Sequence, residues 1–219
     1  MLDPMNFFGH VYVARCVGAG DGVALGAMLP DLASMLGARV VDVGPADVRA
    51  GVAVHHASDA SFHRAPAFGA LQRAGIDALL RRGVRRGPAR GAAHVGVELL
   101  LDAVLAADPG ASALYARALA AAADCATRWQ PADAAARFGA LCARLAAGGA
   151  DEVRAGVDVL AARVDRALAR RPRLALAAGE RDAVRAWLAA ARAAVGAAAP
   201  ALVAAGVRGA RTALAAAPR

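Results

Sequence analysis

Between residues 91 and 105 the chain reads GAAHVGVELLLDAVL, which sets His94, Glu98 and Asp102 four residues apart in an otherwise apolar run. Residues at this spacing on an α-helix lie about 40° from one another, so the three share one narrow sector. Their neighbours Val95, Gly96, Val97, Leu99, Leu100 and Leu101 leave no polar face for water. A helix apolar nearly all round belongs in the interior, with other helices packed about it. Buried carboxylates are costly unless they are paired or bound to a metal. The segment therefore requires a surrounding bundle and a cation.

The rest of the chain can supply that bundle. Hydrophobic residues make up 58% of the 219, yet alanine dominates them and aromatics reach only 4%, a balance that favours helices over sheets. Helices are expected near 6–18, 21–37, 46–62, 67–82, 86–107, 110–127, 131–147, 150–170, 179–197 and 200–216. They are separated by turn signals such as GAGDG, VGPAD, HRAP, DPGAS, WQPAD and AAGGAD. With no repeat and no low-complexity linker, the expectation is one all-α domain, a single helical bundle over 1–219. Its two halves differ. All five histidines fall within the first 94 residues, so residues 5–107 should hold any polar site, and 108–219 form an Ala/Arg-rich helical half.

Several classes are set aside on the same grounds. No run offers the roughly 20 strongly apolar residues of a membrane span, and Ala193 to Val207 reads as a packed or interfacial helix. The N-terminus lacks a basic stretch followed by an apolar one, so no secretory signal is expected, and MLDPMNFF allows a start at Met5 as well as Met1. Cys16, Cys125 and Cys142 are odd in number and make no CxxC pair, which reads as buried thiols in a reducing cytoplasm. The net charge of +8 is carried by arginine alone, with no lysine; it suits an acidic partner. Scattered arginines and few aromatics give no pattern for specific nucleic-acid binding.

A second stripe lies in GVAVHHASDASFHRAP, where His55, Asp59 and His63 repeat the four-residue spacing and His56 stands beside them. His10 in MNFFGHVYVA and Asp31 closing LGAMLPD are further polar residues in apolar settings. Imidazole with carboxylate is the ligand chemistry of zinc, manganese or iron. His10, Asp31, His55, Asp59, His94, Glu98 and Asp102 are accordingly the expected metal ligands. At each position the alternative is structural: a hydrogen-bonded core histidine, a helix cap at Asp31, or an ion pair of Glu98 or Asp102 with Arg64, Arg86 or Arg90.

Read in order, MNFFGHVYVA, LGAMLPD, GVAVHHASDASFHRAP and GVELLLDAVL resemble the acyl carrier protein phosphodiesterase family. That resemblance covers about the first 105 residues. It implies an HD-domain-like helical fold, a manganese-dependent phosphodiester hydrolysis, and an acidic carrier protein as partner, from whose serine phosphopantetheine is removed. Matched by motif, His10, Asp31, His55, Asp59, Glu98 and Asp102 would be site residues. His56 stands where the family usually has Arg, His63 where it has Asp, and Ala103 where it often has His. By the same reading His56 or His63 would serve as general acid, while Arg64 and Arg90 would grip phosphate. LGAMLPD with His55–Asp59 and His94–Glu98 is also similar to the zinc-dependent phospholipase C and single-strand nuclease group, which is all-α as well. A protein of another class, a non-catalytic helical assembly unit with a degraded site, is the remaining alternative.

Overall fold

A computed structural model describes residues 7–216 of the chain; the alternative starts at Met1 and Met5 lie outside the described residues. In chain order the helices are α1 (Phe7–Cys16), α2 (Asp21–Met35), α3 (Ala46–His63), α4 (Pro66–Arg81), α5 (Arg86–Leu105), α6 (Pro109–Ala120), α7 (Ala134–Val153), α8 (Val157–Ala169) and α9 (Ala178–Ala216). Two short strands, β1 (Arg39–Val43) and β2 (Thr127–Gln130), pair antiparallel with Val40 opposite Trp129. The architecture is the expected all-α bundle with this ribbon as its one sheet among the described residues.

α5 is the central element, with fifteen of its twenty residues buried. Leu99, Leu100, Leu101 and Leu105 contribute roughly 1.5–3 kcal/mol each by leaving water, against the several kcal/mol that burying a carboxylate costs. The leucines win, so the helix stays inside and Glu98 and Asp102 must find partners there. α4, α8, α9 and α1 surround it. Trp187 of α9 wedges between α4 and α5, where its ring lies against Gly75 and Gly96, and any β-carbon at either glycine would collide with it. Residues from both halves of the chain, Phe8 and Leu25 with Leu160, Leu188 and Leu202, share one continuous core.

The element boundaries differ from expectation in four places, each for a physical reason. Residues 39–43 and 127–130 form strands where the sequence indicated turns and the end of a helix, because Val40 and Trp129 gain a partner strand from far along the chain. The helix expected over 110–127 ends at Ala120 in a 3-10 turn that leads into β2. The break at AAGGAD survives as a kink within α7, where Gly149 takes a φ of 57°, and the full interruption falls between Val153 and Val157. Finally, the two helices expected over 179–197 and 200–216 are one, with Pro200 inside α9; alanine on both sides favours helix strongly enough to carry the chain across the missing N–H.

Two exclusions also need correction. α9 is long and apolar enough, by length and composition, to cross a membrane; here it packs on α1, α3, α4, α5 and α8 with Leu188, Val195 and Leu202 fully buried. Of the cysteines only Cys142 is buried, Cys125 being half-buried and Cys16 exposed at the end of α1.

Candidate metal centre

The site begins with a close helix crossing. α2 and α3 meet at Gly26 and Gly51, where a β-carbon on either residue would strike the carbonyl oxygen of Val48 or Val23. That approach brings His55 of α3 up to α2, and its Nδ1–H donates to the Ala27 carbonyl at 3.0 Å. Asp31, one turn further along α2 and wholly buried, has an oxygen 3.9 Å from the same nitrogen. α1 brings His10 from the other side, with its ring 4.2 Å from that of His55.

The hydrogen bonds fix the tautomers. Ser58 Oγ donates to the His55 carbonyl, so it accepts from His10 Nδ1–H at 3.0 Å. His10 Nε2 is then a buried lone pair with no hydrogen-bond partner, 3.8 Å from Asp31 Oδ2. Burial, seconded by the charge of His55, holds His10 well below the ordinary imidazole range, and burial brings His55 down to about 4. Both rings are neutral at pH 7 with Nδ1–H engaged. His10 Nε2 is open, the state in which an imidazole ligates, whereas the His55 nitrogen that faces Asp31 is the Nδ1 whose proton goes to the Ala27 carbonyl. His10, Asp31 and His55 each offer a ligand atom within 4.8 Å of the others. This buried group can hold a metal ion.

A second group forms where α3 ends beside α5. His63 Nε2 and His94 Nε2 lie 3.0 and 3.1 Å from the same oxygen of Glu98, and their rings stack at 4.9 Å. His63 Nδ1 faces Asp59 at 3.2 Å, and Gln72 Nε2 donates to His94 Nδ1 at 3.0 Å. His63 thus donates to a carboxylate from each nitrogen. Burial pulls its pKa down, but those two bonds override it and raise the group to about 10. Burial likewise pushes Glu98 and Asp59 up, yet the histidine donors hold both carboxyls below their usual range. His63, His94 and Glu98 also satisfy ligand spacing, and Glu98 Oε2 has no hydrogen-bond partner. Holding an ion here would require the imidazolium proton to leave first.

The fold therefore gathers five of the seven expected ligands into two groups of three. The sixth member is His63, expected as a general acid, which instead stands among the possible ligand atoms. Asp59 stands behind His63 rather than among the ligand atoms. Asp102 is the main correction: its two oxygens accept from the backbone N–H of Phe8 at 3.2 Å and Gly9 at 2.7 Å. It caps the start of α1, the helix that carries His10, from 93 residues away. Burial keeps this carboxyl well above the ordinary range although the two amides pull the other way. His56 is exposed, with its ring edge-on to His55 at 5.1 Å, and Arg64 and Arg90 are exposed on α3's C-cap and on α5 one turn before His94. Ser58 and Gln72, which orient His10 and His94, are not in the expected set. Ser58 follows His55 by three residues on one helix face, a spacing that reveals it; Gln72 has no such signal.

No protein-family model matches this chain, nor does any curated protein or solved structure.

Proposed function

We propose that this protein is a metal-dependent phosphodiester hydrolase, and that its substrate is the phosphopantetheinyl-serine linkage of an acyl carrier protein. The observation that supports the reading is the pairing of two neutral, oriented imidazoles with a carboxylate in the interior, around His10 Nε2. A divalent ion bound there would polarise a phosphate oxygen and lower the pKa of its water from about 16 towards 7. Asp31 balances positive charge, while Ser58 and the Ala27 carbonyl keep both rings aimed. His56, exposed beside His55, would pass a proton to a leaving alkoxide. Arg64 and Arg90 offer planar donors to phosphate from the exposed ends of their helices, and the arginine-borne charge suits an acidic carrier protein.

The metal follows from the same ligands. The motif resemblance implies manganese, whereas two imidazoles to one carboxylate suit zinc or iron. The second group, with His63 and His94, favours the zinc-dependent phospholipase C or nuclease reading. The experiment is incubation of phosphopantetheinylated carrier protein with the manganese- and the zinc-loaded enzyme, followed by mass. Loss of the prosthetic group supports the proposal. An unchanged carrier together with turnover of a generic phosphodiester would reject the substrate and keep the chemistry. No bound metal and no turnover would favour the non-catalytic reading, in which the His63–Glu98–His94 network simply closes on itself.

A further inference from the structure

Separate from both histidine groups, and sharing no residue with them, is a cavity of about 610 Å³ whose walls come from α1, α2, α5, α7 and α8. That volume falls within the roughly 300–1,000 Å³ of small-molecule sites. Its apolar lining is supplied by Phe7, Met35, Leu36, Leu99, Leu141 and Leu145. Arg137, Arg144, Arg163, Arg166 and Arg170 line it too, against a single carboxylate, Glu152.

Those five guanidinium groups are unequally engaged. Arg137 donates to the Leu36 carbonyl at 2.9 Å and pairs with Asp133 at 3.2 Å. Arg170 donates to the Ser34 and Met35 carbonyls, closing the end of α2. Arg163 and Arg144 share Glu152, at 3.5 and 3.8 Å. Arg166 makes no hydrogen bond or ion pair among the described residues and is exposed at the cavity. Asp133 offsets Arg137, and one carboxylate, Glu152, serves both Arg144 and Arg163, which with the exposed Arg166 leaves positive charge in excess beside the apolar interior. Burial lowers the pKa of Arg163; the charge of Glu152 raises it, and the neighbouring Arg166 adds a smaller downward push. Arginine is abundant throughout this chain, but its convergence on an apolar hollow is the work of the fold.

We propose that this cavity binds a single-chain anionic amphipath, its alkyl or acyl chain against Phe7, Leu99 and Leu141 and its carboxylate or phosphate head held by Arg166 with Arg144 and Arg163. Planar guanidinium forks match either oxyanion, and charge-assisted bonds at a partly buried rim are the strong ones. The apolar interior supplies the affinity that an inorganic anion cannot draw upon.

The test is calorimetric titration of the full-length protein in excess chelator, which makes the result independent of the proposed hydrolysis. Dodecyl phosphate and dodecanoate, kept below micelle formation, are expected to bind at one equivalent. Inorganic phosphate should bind at least about tenfold more weakly, and dodecyltrimethylammonium not at all. Arg166→Glu, which removes no internal bond, should weaken binding about tenfold or more, and Ala167→Trp, which fills the cavity, should abolish it while melting curves show both variants folded. Binding of only one of the two anionic amphipaths identifies the head group and supports the site. Equal binding of the cationic surfactant, inorganic phosphate binding as tightly as its dodecyl ester, unchanged affinity in both variants, or no binding at all would overturn it.

Discussion

The two histidine groups use the same residue types, two imidazoles and one carboxylate, yet they occupy opposite electrostatic states. Around His10, Asp31 and His55 the rings donate to a hydroxyl and a carbonyl; burial outweighs the upward pull of the Ala27 carbonyl on His55 and keeps both rings neutral. Around His63, His94 and Glu98 the rings donate to carboxylates, and His63 is held as an imidazolium. The lesson is that ligand identity does not define a metal site. What the far nitrogen of each ring touches decides whether the near one is open to an ion or already engaged.

The comparison can be broken most forcefully at Glu98. Glu98→Gln leaves His63 and His94 without their shared carboxylate in the interior, and should cost about 3 kcal/mol of stability by urea denaturation of the metal-free protein. A loss below about 1 kcal/mol would mean that the second group is not an ion pair. Next in size is the metal itself. Asp31→Ala should reduce zinc or manganese affinity about a hundredfold by calorimetry while leaving the His63–Glu98–His94 network intact, and an unaltered isotherm would place the ion elsewhere.

Acid and base should separate the groups in the metal-free protein. The folded pKa of His55, about 4, lies below its unfolded value near 6.5, so stability rises with pH between 4 and 6.5 and is flat above. The folded pKa of His63, about 10, lies above it, so that contribution is complete below pH 6.5 and is lost progressively towards pH 10. A stability maximum near pH 6–7 is expected, with His55→Gln reducing the slope of the acid limb, to which the buried His10 also contributes, and His63→Gln flattening the alkaline limb. Variants that left both limbs in place would show that other groups govern them. The smallest effect belongs to Asp102→Asn. Because the carboxyl already sits far above its usual range, losing its charge costs little; Asn keeps one of the two accepted bonds and loses the other, so the substitution should cost about 1 kcal/mol and leave metal affinity unchanged. A large drop in metal affinity would restore Asp102 to the ligand set.

Much of the site was visible in the order of residues. Four-residue spacing places His55, Asp59 and His63 on one face of α3, and His94, Glu98 and Asp102 on one face of α5, because helix geometry is a local property. Spacing says nothing of what faces each stripe. Asp102 has the same periodic position as Glu98 but meets the first amides of α1 instead of a histidine. Gln72 looks like any polar residue of α4 until the chain brings it to His94. The strands were hidden for a like reason: Val40 and Trp129 are 89 positions apart, and neither segment alone is long enough to declare a sheet.

By itself the sequence determined the helices, through alanine's low conformational cost, and the buried place of α5, through leucines that outweigh its two acids. It also determined which side chains were available as ligands. Only the tertiary structure divided those ligands into a neutral group and a charged one, turned Asp102 into a cap, and gathered arginines from α7 and α8 over an apolar hollow. The reason is physical. Helix propensity and amphipathicity act over a few residues, whereas proton affinity and charge crowding depend on which atoms from distant segments share a low-dielectric space.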